Sequence, residues 1–419
     1  MKILIFTSSA GNGHNSSANR IKEKILQLNP NTEVVISDAY LKYAPKIQQW
    51  VISKGYFLAC ENFTNAYNFF FEKETKIDYS KKRIDKSFLQ SHGVISGMLK
   101  EIYQFKPDVI LSTYVFCTIA LNNLKMAYEI PAKIVALTLD YDVSPYWECC
   151  AYATDCMFLT DEKMTEIFIE KGFNKEQLEV SGIPVSEKFS SAVNKSEIRK
   201  ELGLDENLFT VIIMKASFFP LRASEIIKKL EKVNVKLQVI IINGNDEKEK
   251  KAISEEIAVS SGKHAYINLG FTDIIDKYFL ASDVVFGKGG GLTTTEAVNA
   301  SLPSLIIDKL PYQEKCNSNV LVENGCAIVV TRKNFAKEIE RIALNRELHQ
   351  ALVDGTKRFK KPQAVGVIAE KILSFPPAKY LLELTDSERE INKKVSKAYS
   401  GYLKDIKMER KFFPKEKTK

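Results

Sequence analysis

Short apolar runs alternating with helical stretches set the strongest limit on how this chain can fold. "ILIF" (3–6), "EVVIS" (33–37), "DVILST" (108–113) and "KIVALTLD" (133–140) are β-branched and bounded by polar or proline punctuation. That is the pattern of parallel strands covered on both faces. A second series follows in "FTVIIM" (209–214), "LQVIIING" (237–244), "DVVFG" (283–287), "PSLIID" (303–308) and "AIVV" (327–330). Two successive βα series predict an α/β protein made of two doubly wound, Rossmann-like domains. The break is expected after "SGIPVSEKF" (181–189), where a polar segment intervenes. The expected division is residues 1–190, residues 191–360, and a helical segment with a basic tail, 361–419, packing back toward the first domain. Ligands of such sheets sit beyond the carboxyl ends of the strands, so the site belongs in the cleft between the domains.

A length of 419 residues suits two domains of ordinary size. The net charge of +8 permits an anionic partner without choosing one. No basic–aromatic motif of a nucleic-acid-binding module is present, so no nucleic-acid partner is expected. No run approaches the ~18 apolar residues of a membrane-crossing helix. "MKILIF" reads as a first strand rather than a signal peptide. The seven cysteines are odd in number and form no C-x-x-C pair, which suits a reducing, cytoplasmic setting.

Two glycine loops carry the chemistry. "GKGGGLTTTEA" (287–297) follows an apolar run and opens a helix. Strand, glycine turn and helix together aim free backbone N–H groups and the positive end of a helix dipole at an anion, and phosphate is the natural guest. Thr293 can cap the helix or bond phosphate, and Glu296 can accept from the vicinal hydroxyls of a ribose; a plain glycine-rich turn with a solvated glutamate fits the same letters. "SSAGNGHNSSANR" (8–20) has the same grammar after the first strand. A dinucleotide reading takes Gly11, Gly13 and Ser16 with Asp38 as the ribose acid, but the third glycine is missing. The loop holds His14, a base with an ordinary pKa near 6.5, at a strand end facing the expected cleft. His92, His264 and His349 lie in ordinary contexts and are expected to be structural.

"SSAGNGHNSSA", "SGIPVSEKF" and "GKGGGLTTTEAVNASLPSLIIDKLPYQEKCNSNVLVENG" (287–325) together resemble the monogalactosyldiacylglycerol-synthase and processive diacylglycerol-glucosyltransferase family, related to the peptidoglycan enzyme that adds N-acetylglucosamine to a lipid-linked precursor. The resemblance implies a GT-B fold, a UDP-sugar held by the C-terminal domain, a lipid acceptor of the diacylglycerol class at the N-terminal domain, and inversion at the anomeric carbon with no metal or other cofactor. It assigns the diphosphate to Gly290, Gly291 and Thr293, the ribose to Glu296, the sugar and diphosphate to Gln313 and Glu314 with Asn317 just beyond, and the general base to His14. Gly11 and Gly13 line the acceptor side, and Asp140 orients His14 or meets the acceptor. The chain departs from the family pattern at Tyr312, where a glycine is expected, and at Ser144, where a histidine is expected before Trp147. It departs again at "IIMKASFFPLRAS" (212–224), in place of a glycine-rich loop. There Lys215 is expected to neutralise phosphate, and Phe218 and Phe219 to narrow the cleft. A transfer to another lipid-linked acceptor, or a UDP-sugar-binding protein without turnover, are the other readings the resemblance allows. "DYD" (140–142) could be a metal–diphosphate pair, but it belongs to a different glycosyltransferase fold than two glycine loops imply.

A lipid acceptor requires contact with a membrane. Residues 56–71 carry seven aromatics in sixteen positions and are flanked by lysines. Tyr56, Phe57, Phe69 and Phe70 are the expected contacts with an anionic membrane surface, which would make the protein peripheral on the inner face of the cell membrane. Helical spacing of Tyr56, Phe63, Tyr67 and Phe71 also fits a core face.

Overall fold

The computed structural model describes residues 1–9, 12–55, 58, 63–74, 91–141, 144–215, 219–308 and 310–412. Two six-stranded sheets, every pair parallel, form the frame. The first runs β2-β1-β3-β4-β5-β6, with β1 Lys2–Thr7, β2 Glu33–Asp38, β3 Val109–Ser112, β4 Lys133–Leu137, β5 Cys156–Leu159 and β6 Leu178–Val180. The second runs β12-β11-β10-β7-β8-β9, with β7 Phe209–Met214, β8 Leu237–Ile242, β9 Ala265–Leu269, β10 Val284–Gly287, β11 Ser304–Ile307 and β12 Ala327–Val330.

Three of these strands are not among the expected runs. β5 ("CMFL") is apolar but has no β-branched residue, β6 ("LEV") is three residues with a central glutamate, and β9 ("AYINL") is only half-buried at the sheet edge. β4 ends at Leu137, three residues before the expected end, and the chain then leaves the sheet with Asp140 at its tip.

Alternation along β1 sorts its side chains onto two cores. Ile3 and Ile5 face Ala18, Ile21 and Ile25 of the first helix, Asn12–Leu28, together with Ile368, Ala369 and Ile372 of the helix Ala364–Leu373. Leu4 and Phe6 face the helices His92–Phe105 and Val115–Ala127, and with them Ile391, Val395 and Tyr399 of the helix Glu388–Phe412. The chain after the second sheet thus returns to cover both faces of the first. Between those two helices it is tied along the sheet's lower edge by Ala378 N–H to Asp108 Oδ1 (2.8 Å) and by the Tyr128 hydroxyl to Asp386 (2.6 Å).

The second sheet is anchored by a part-buried ion cluster. Asp283, just before β10, accepts from Arg199 (2.7 Å), from Lys195 (2.5 Å) and from the Thr210 backbone N–H (2.7 Å). Burial pushes the Asp283 carboxyl up, but the Lys195 ammonium, the Thr210 N–H and the Arg199 guanidinium together hold it below the usual carboxylate range. Its stabilising contribution is present above the ordinary aspartate pKa and is lost as pH falls through the depressed one. Removing it leaves the Arg199 charge buried and unpaired. Asp283→Ala should therefore cost about 3 kcal/mol in urea unfolding at neutral pH.

Candidate functional site

In each sheet the strand order reverses at one point, and that crevice is where α/β sheets hold ligands. In the first sheet it lies between β1 and β3, and in the second between β7 and β10. The histidine loop leaves β1 and the glycine loop leaves β10, so the topology delivers both to the carboxyl ends of their sheets.

His14 stands in the first turn of the helix Asn12–Leu28, half-buried. Its Nδ1 lies 2.6 Å from the Thr113 carbonyl oxygen, at the end of β3. A carbonyl only accepts, so the proton sits on Nδ1 and Nε2 carries the lone pair. Burial pushes the imidazole below its ordinary pKa, opposed by the Thr113 carbonyl and by the carboxylates of Asp140 and Asp38. Tyr114 packs edge-on against the ring at 5.0 Å. Below it, Thr113 Oγ1 donates to Thr7 Oγ1 and Thr7 Oγ1 to Asn15, each at 2.9 Å. Asn15 in turn bonds Ser9, whose hydroxyl donates to Asp38 at 2.6 Å. Asp38 also caps the next helix through the Leu41 N–H, so both its oxygens are engaged and it is no ribose acid. Orientation of His14 by Asp140 is likewise corrected: the Thr113 carbonyl does it.

The glycine loop opens the helix Gly291–Asn299 with Gly290 as its N-cap. Two glycines there answer to close packing rather than to a ligand. A Cβ on Gly289 would sit 2.3 Å from the Glu314 carbonyl oxygen, and one on Gly291 would sit 2.1 Å from the Leu139 carbonyl oxygen of the first sheet's side. Gly290 has no such neighbour; its nearest is Glu314 Oε1 at 4.0 Å. Thr294 and Thr295 return their hydroxyls to the backbone carbonyls of Gly290 and Gly291. Thr293 does not cap the helix, and its hydroxyl has no hydrogen-bond partner among the described residues. The N–H groups of residues 291–293 precede the first intrahelical bond, which starts at Thr294. Gly13 comes within 3.2 Å of Leu292 by the same Cβ measure, so two helix N-termini, both positive, meet at the cleft.

Asn317 joins the halves. Its amide nitrogen donates to Asp140 Oδ1 (2.8 Å) and to the Gly289 carbonyl (2.9 Å), and its oxygen accepts from the Tyr141 N–H (2.7 Å). The side chain is 0% exposed. The donor-binding role expected of Asn317 is corrected: its amide hydrogens are both used and no surface is left for a ligand. Asp140 is held by this bond at the crossing point, and Asp142 lies outside the described residues. Among the described residues no group of three His, Cys, Asp or Glu side chains could hold a metal ion.

Glu296, one turn into the helix, is half-buried, and burial raises its carboxyl to about 7 against the opposing charge of Arg20 on the first helix. Glu314 is raised too, by burial first, with the Lys288 ammonium 3.3 Å away opposing it and Asp140 adding to it. Its Oε2 is buried with no partner among the described residues. Gln313 meets the Tyr67 hydroxyl, Nε2 to oxygen 3.0 Å. Lys215 does not reach out to a ligand: it is 7% exposed, 2.6 Å from Glu249, and donates to the Leu221 carbonyl at 3.0 Å. Its charge is matched inside the second half, which corrects the expected phosphate role. Phe219 turns inward against Phe286 at 5.3 Å and does not narrow the cleft; Phe218 lies outside the described residues. Ser144 caps a 3-10 turn, and Trp147 is core against Phe168.

Gly11, Tyr56 and Phe57, and the side chain of Phe70, lie outside the described residues. Phe69 is 55% and Phe63 68% exposed, on or beside the helix Thr64–Glu74. His264 and His349 are structural, bonded to the Leu230 and Asp283 carbonyls. Motif spacing did not single out Thr113, Lys288 or Arg20, and it marked Tyr67 only as part of an aromatic helix face, not as a neighbour of Gln313. Lys288 was readable as a cation between glycines of an anion-binding loop; the others are brought in by the tertiary structure alone.

Residues 14–185 match the monogalactosyldiacylglycerol (MGDG) synthase family, and residues 215–366 match the glycosyltransferase family 28 C-terminal domain. The chain is 26% identical over 347 residues to a processive diacylglycerol beta-glucosyltransferase of Staphylococcus saprophyticus, covering 82% of this chain and 84% of that protein. It is 26% identical over 379 residues to the protein of the same name from Staphylococcus aureus, covering 89% and 92%. Among solved structures, Acinetobacter baumannii MurG superposes with a TM-score of 0.58 at 13% identity, covering 89% of this chain and 99% of that one. S. aureus MnaA with UDP gives 0.57 at 14% identity, covering 90% and 99%. These likenesses establish the GT-B fold.

The two glycines separate experimentally. Gly291→Ala should lower unfolding stability by about 2 kcal/mol through its clash with Leu139. Gly290→Ala should leave stability within about 0.5 kcal/mol by the same measurement.

Proposed function

We propose, for a chain that belongs to the MGDG-synthase and processive diacylglycerol-glucosyltransferase family of GT-B glycosyltransferases, that it moves a hexose from a UDP-sugar to diacylglycerol with inversion at the anomeric carbon. The observation that carries this reading is His14, its proton fixed on Nδ1 by Thr113, facing a glycine-loop helix whose N–H groups and Thr293 hydroxyl are open. Nε2 takes the proton of the acceptor hydroxyl as that oxygen attacks the anomeric carbon. The bond from that carbon to the diphosphate oxygen breaks, and UDP leaves with the electron pair. The N-terminus of the helix Gly291–Asn299 and the Lys288 ammonium stabilise the departing charge, and Glu296 accepts from the ribose hydroxyls. No metal enters this scheme.

In this reading residues 1–190 receive the acceptor, 191–360 hold the donor, and 361–419 return to brace the first domain. No described helix is long and apolar enough to cross a membrane, and in this reading the lipid is met at a surface. Leu41, Ile47, Trp50, Phe63 and Phe69 are all exposed in one stretch of chain that also carries Lys42, Lys46 and Lys73. Apolar groups among cations suit an anionic leaflet, here the cytoplasmic one.

UDP release from a panel of UDP-sugars, with and without diacylglycerol vesicles, tests the reading. One donor should give lipid-dependent release, reduced ~10²-fold or more in His14→Ala. Absence of release with every donor would sink it. The pH profile adds a second check. Glu296 accepts from both ribose hydroxyls, one at each oxygen, only when ionised, so kcat/KM for the donor should fall as pH drops through about 7. Glu296→Gln should remove that limb and leave one below pH 6.5, from protonation of His14, whose burial lowers its pKa from that value.

A further inference from the structure

One chain of hydrogen bonds runs from Asp38 to the strand end that holds His14. Its direction is fixed at the acid, because a carboxylate only accepts. Ser9 gives Asp38 Oδ2 both its N–H (2.7 Å) and its hydroxyl proton (2.6 Å). The Ser9 oxygen is left to accept, and it does so from Asn15 Nδ2 at 3.2 Å. Asn15 Oδ1 must then accept, and Thr7 Oγ1 donates to it at 2.9 Å. Thr7 in turn accepts from Thr113 Oγ1 at 2.9 Å. Thr7 and Thr113 are each 1% exposed, so a broken link there is not replaced by bulk water.

Asn15 is where this chain meets the base. It follows His14 in the first turn of the helix Asn12–Leu28, and the links beyond it end on Thr113, whose carbonyl oxygen takes the His14 Nδ1 proton at 2.6 Å. The Thr113 N–H is bound to the Phe6 carbonyl (3.0 Å), so the Thr113 hydroxyl gives β1 a second hold on that residue. We infer that Asn15 is a positioning residue for the transfer: its side-chain amide ties the helix turn that carries the imidazole to the strand end that carries the ring's acceptor. This inference rests on the reading above, in which His14 is the base. Among side chains of this length only an amide serves, accepting at one end and donating at the other; leucine does neither, and an ionised aspartate cannot donate. The tautomer of a histidine is set by the partner of its second nitrogen. A displaced Thr113 carbonyl or a turned helix end therefore lets the proton move to Nε2, and the lone pair needed by the acceptor hydroxyl is lost.

The experiment reads the His14 ring nitrogens by NMR on the nitrogen-15-labelled full chain, assigned by the signals lost in His14→Ala, alongside kcat and KM for the UDP-sugar. Wild type should carry the proton on Nδ1. Asn15→Leu should share it between the two nitrogens, with kcat on the order of 10-fold lower and KM for the donor within about 2-fold of wild type. Asp38 and Asp140 are the carboxylates whose charge reaches the ring, and Tyr114 packs against it. The Thr113 carbonyl favours the charged ring, so weakening that bond in Asn15→Leu should move the His14 titration to lower pH. The added carboxylate of Asn15→Asp should move it to higher pH. Thr7→Val, which keeps the shape of the side chain within β1, cuts the same chain from the strand side and should repeat the Asn15→Leu result. Thr7→Ser, which keeps the hydroxyl, should behave as wild type. An unchanged proton distribution and titration in Asn15→Leu or in Thr7→Val, whatever their kcat, would overturn the inference and leave the transferase reading standing. Absence of turnover in wild type with every donor would remove that reading and the part of Asn15 in transfer with it, while the NMR result still decides separately whether Asn15 holds the ring.

Discussion

The Asn317 side chain holds the arrangement of the two halves. Its amide takes the tip of the loop after β4, through Asp140 and the Tyr141 N–H, and fastens it to the Gly289 carbonyl of the glycine loop. Water cannot compete for these bonds because the group is fully buried, and removing the Asn317 side chain would leave its partners buried and unsatisfied. The absence of a side chain on Gly291 lets the Leu139 carbonyl approach as closely as it does. The Tyr141 hydroxyl then adds a bond to Thr295 at 2.9 Å. His14 faces the glycine-loop helix because this crossing point is held shut beside it.

Charge in the cleft is arranged in opposed pairs. Two helix N-termini, Lys288 and Arg20 bring positive potential, while Glu296, Glu314, Asp140 and Asp38 bring carboxyls. Burial raises two of those carboxyls, so they resist ionisation more than an exposed glutamate does. A diphosphate arriving beside Lys288 competes with Glu314 for the same ammonium. The pair 3.3 Å apart thus holds the cation in place until a stronger anion takes it. Lys215 shows the contrast: its partner Glu249 comes from the same half and nothing in the cleft competes for it.

The frame was legible because parallel strands buried on both faces must be apolar along most of their length, as β1, β3, β8 and β10 are. β6 and β9 escaped because edge position weakens that demand, and β5 because "CMFL" has no β-branched residue to mark it as a strand. Within the site, His14, Thr293 and Glu296 were identifiable since a loop between strand and helix has a predictable destination. Asn317 and Lys215 carried the right chemistry for a ligand, but both are engaged by the protein itself.

Local sequence therefore determined two βα series, two glycine loops at strand ends, and a histidine in one of them, because hydrophobic periodicity and glycine's tolerance of close approach act over a few residues. Tertiary structure alone decided which polar groups remain open. Hydrogen-bond capacity is consumed by partners far along the chain: Thr113 for His14, Asp140 for Asn317, Tyr67 for Gln313. Two of the three glycines in "GKGGGL" after the lysine answer to such distant neighbours, and only Gly290 has room around it. Which partner lies within 3 Å is set by packing of the whole chain, and no spacing rule along the sequence contains it.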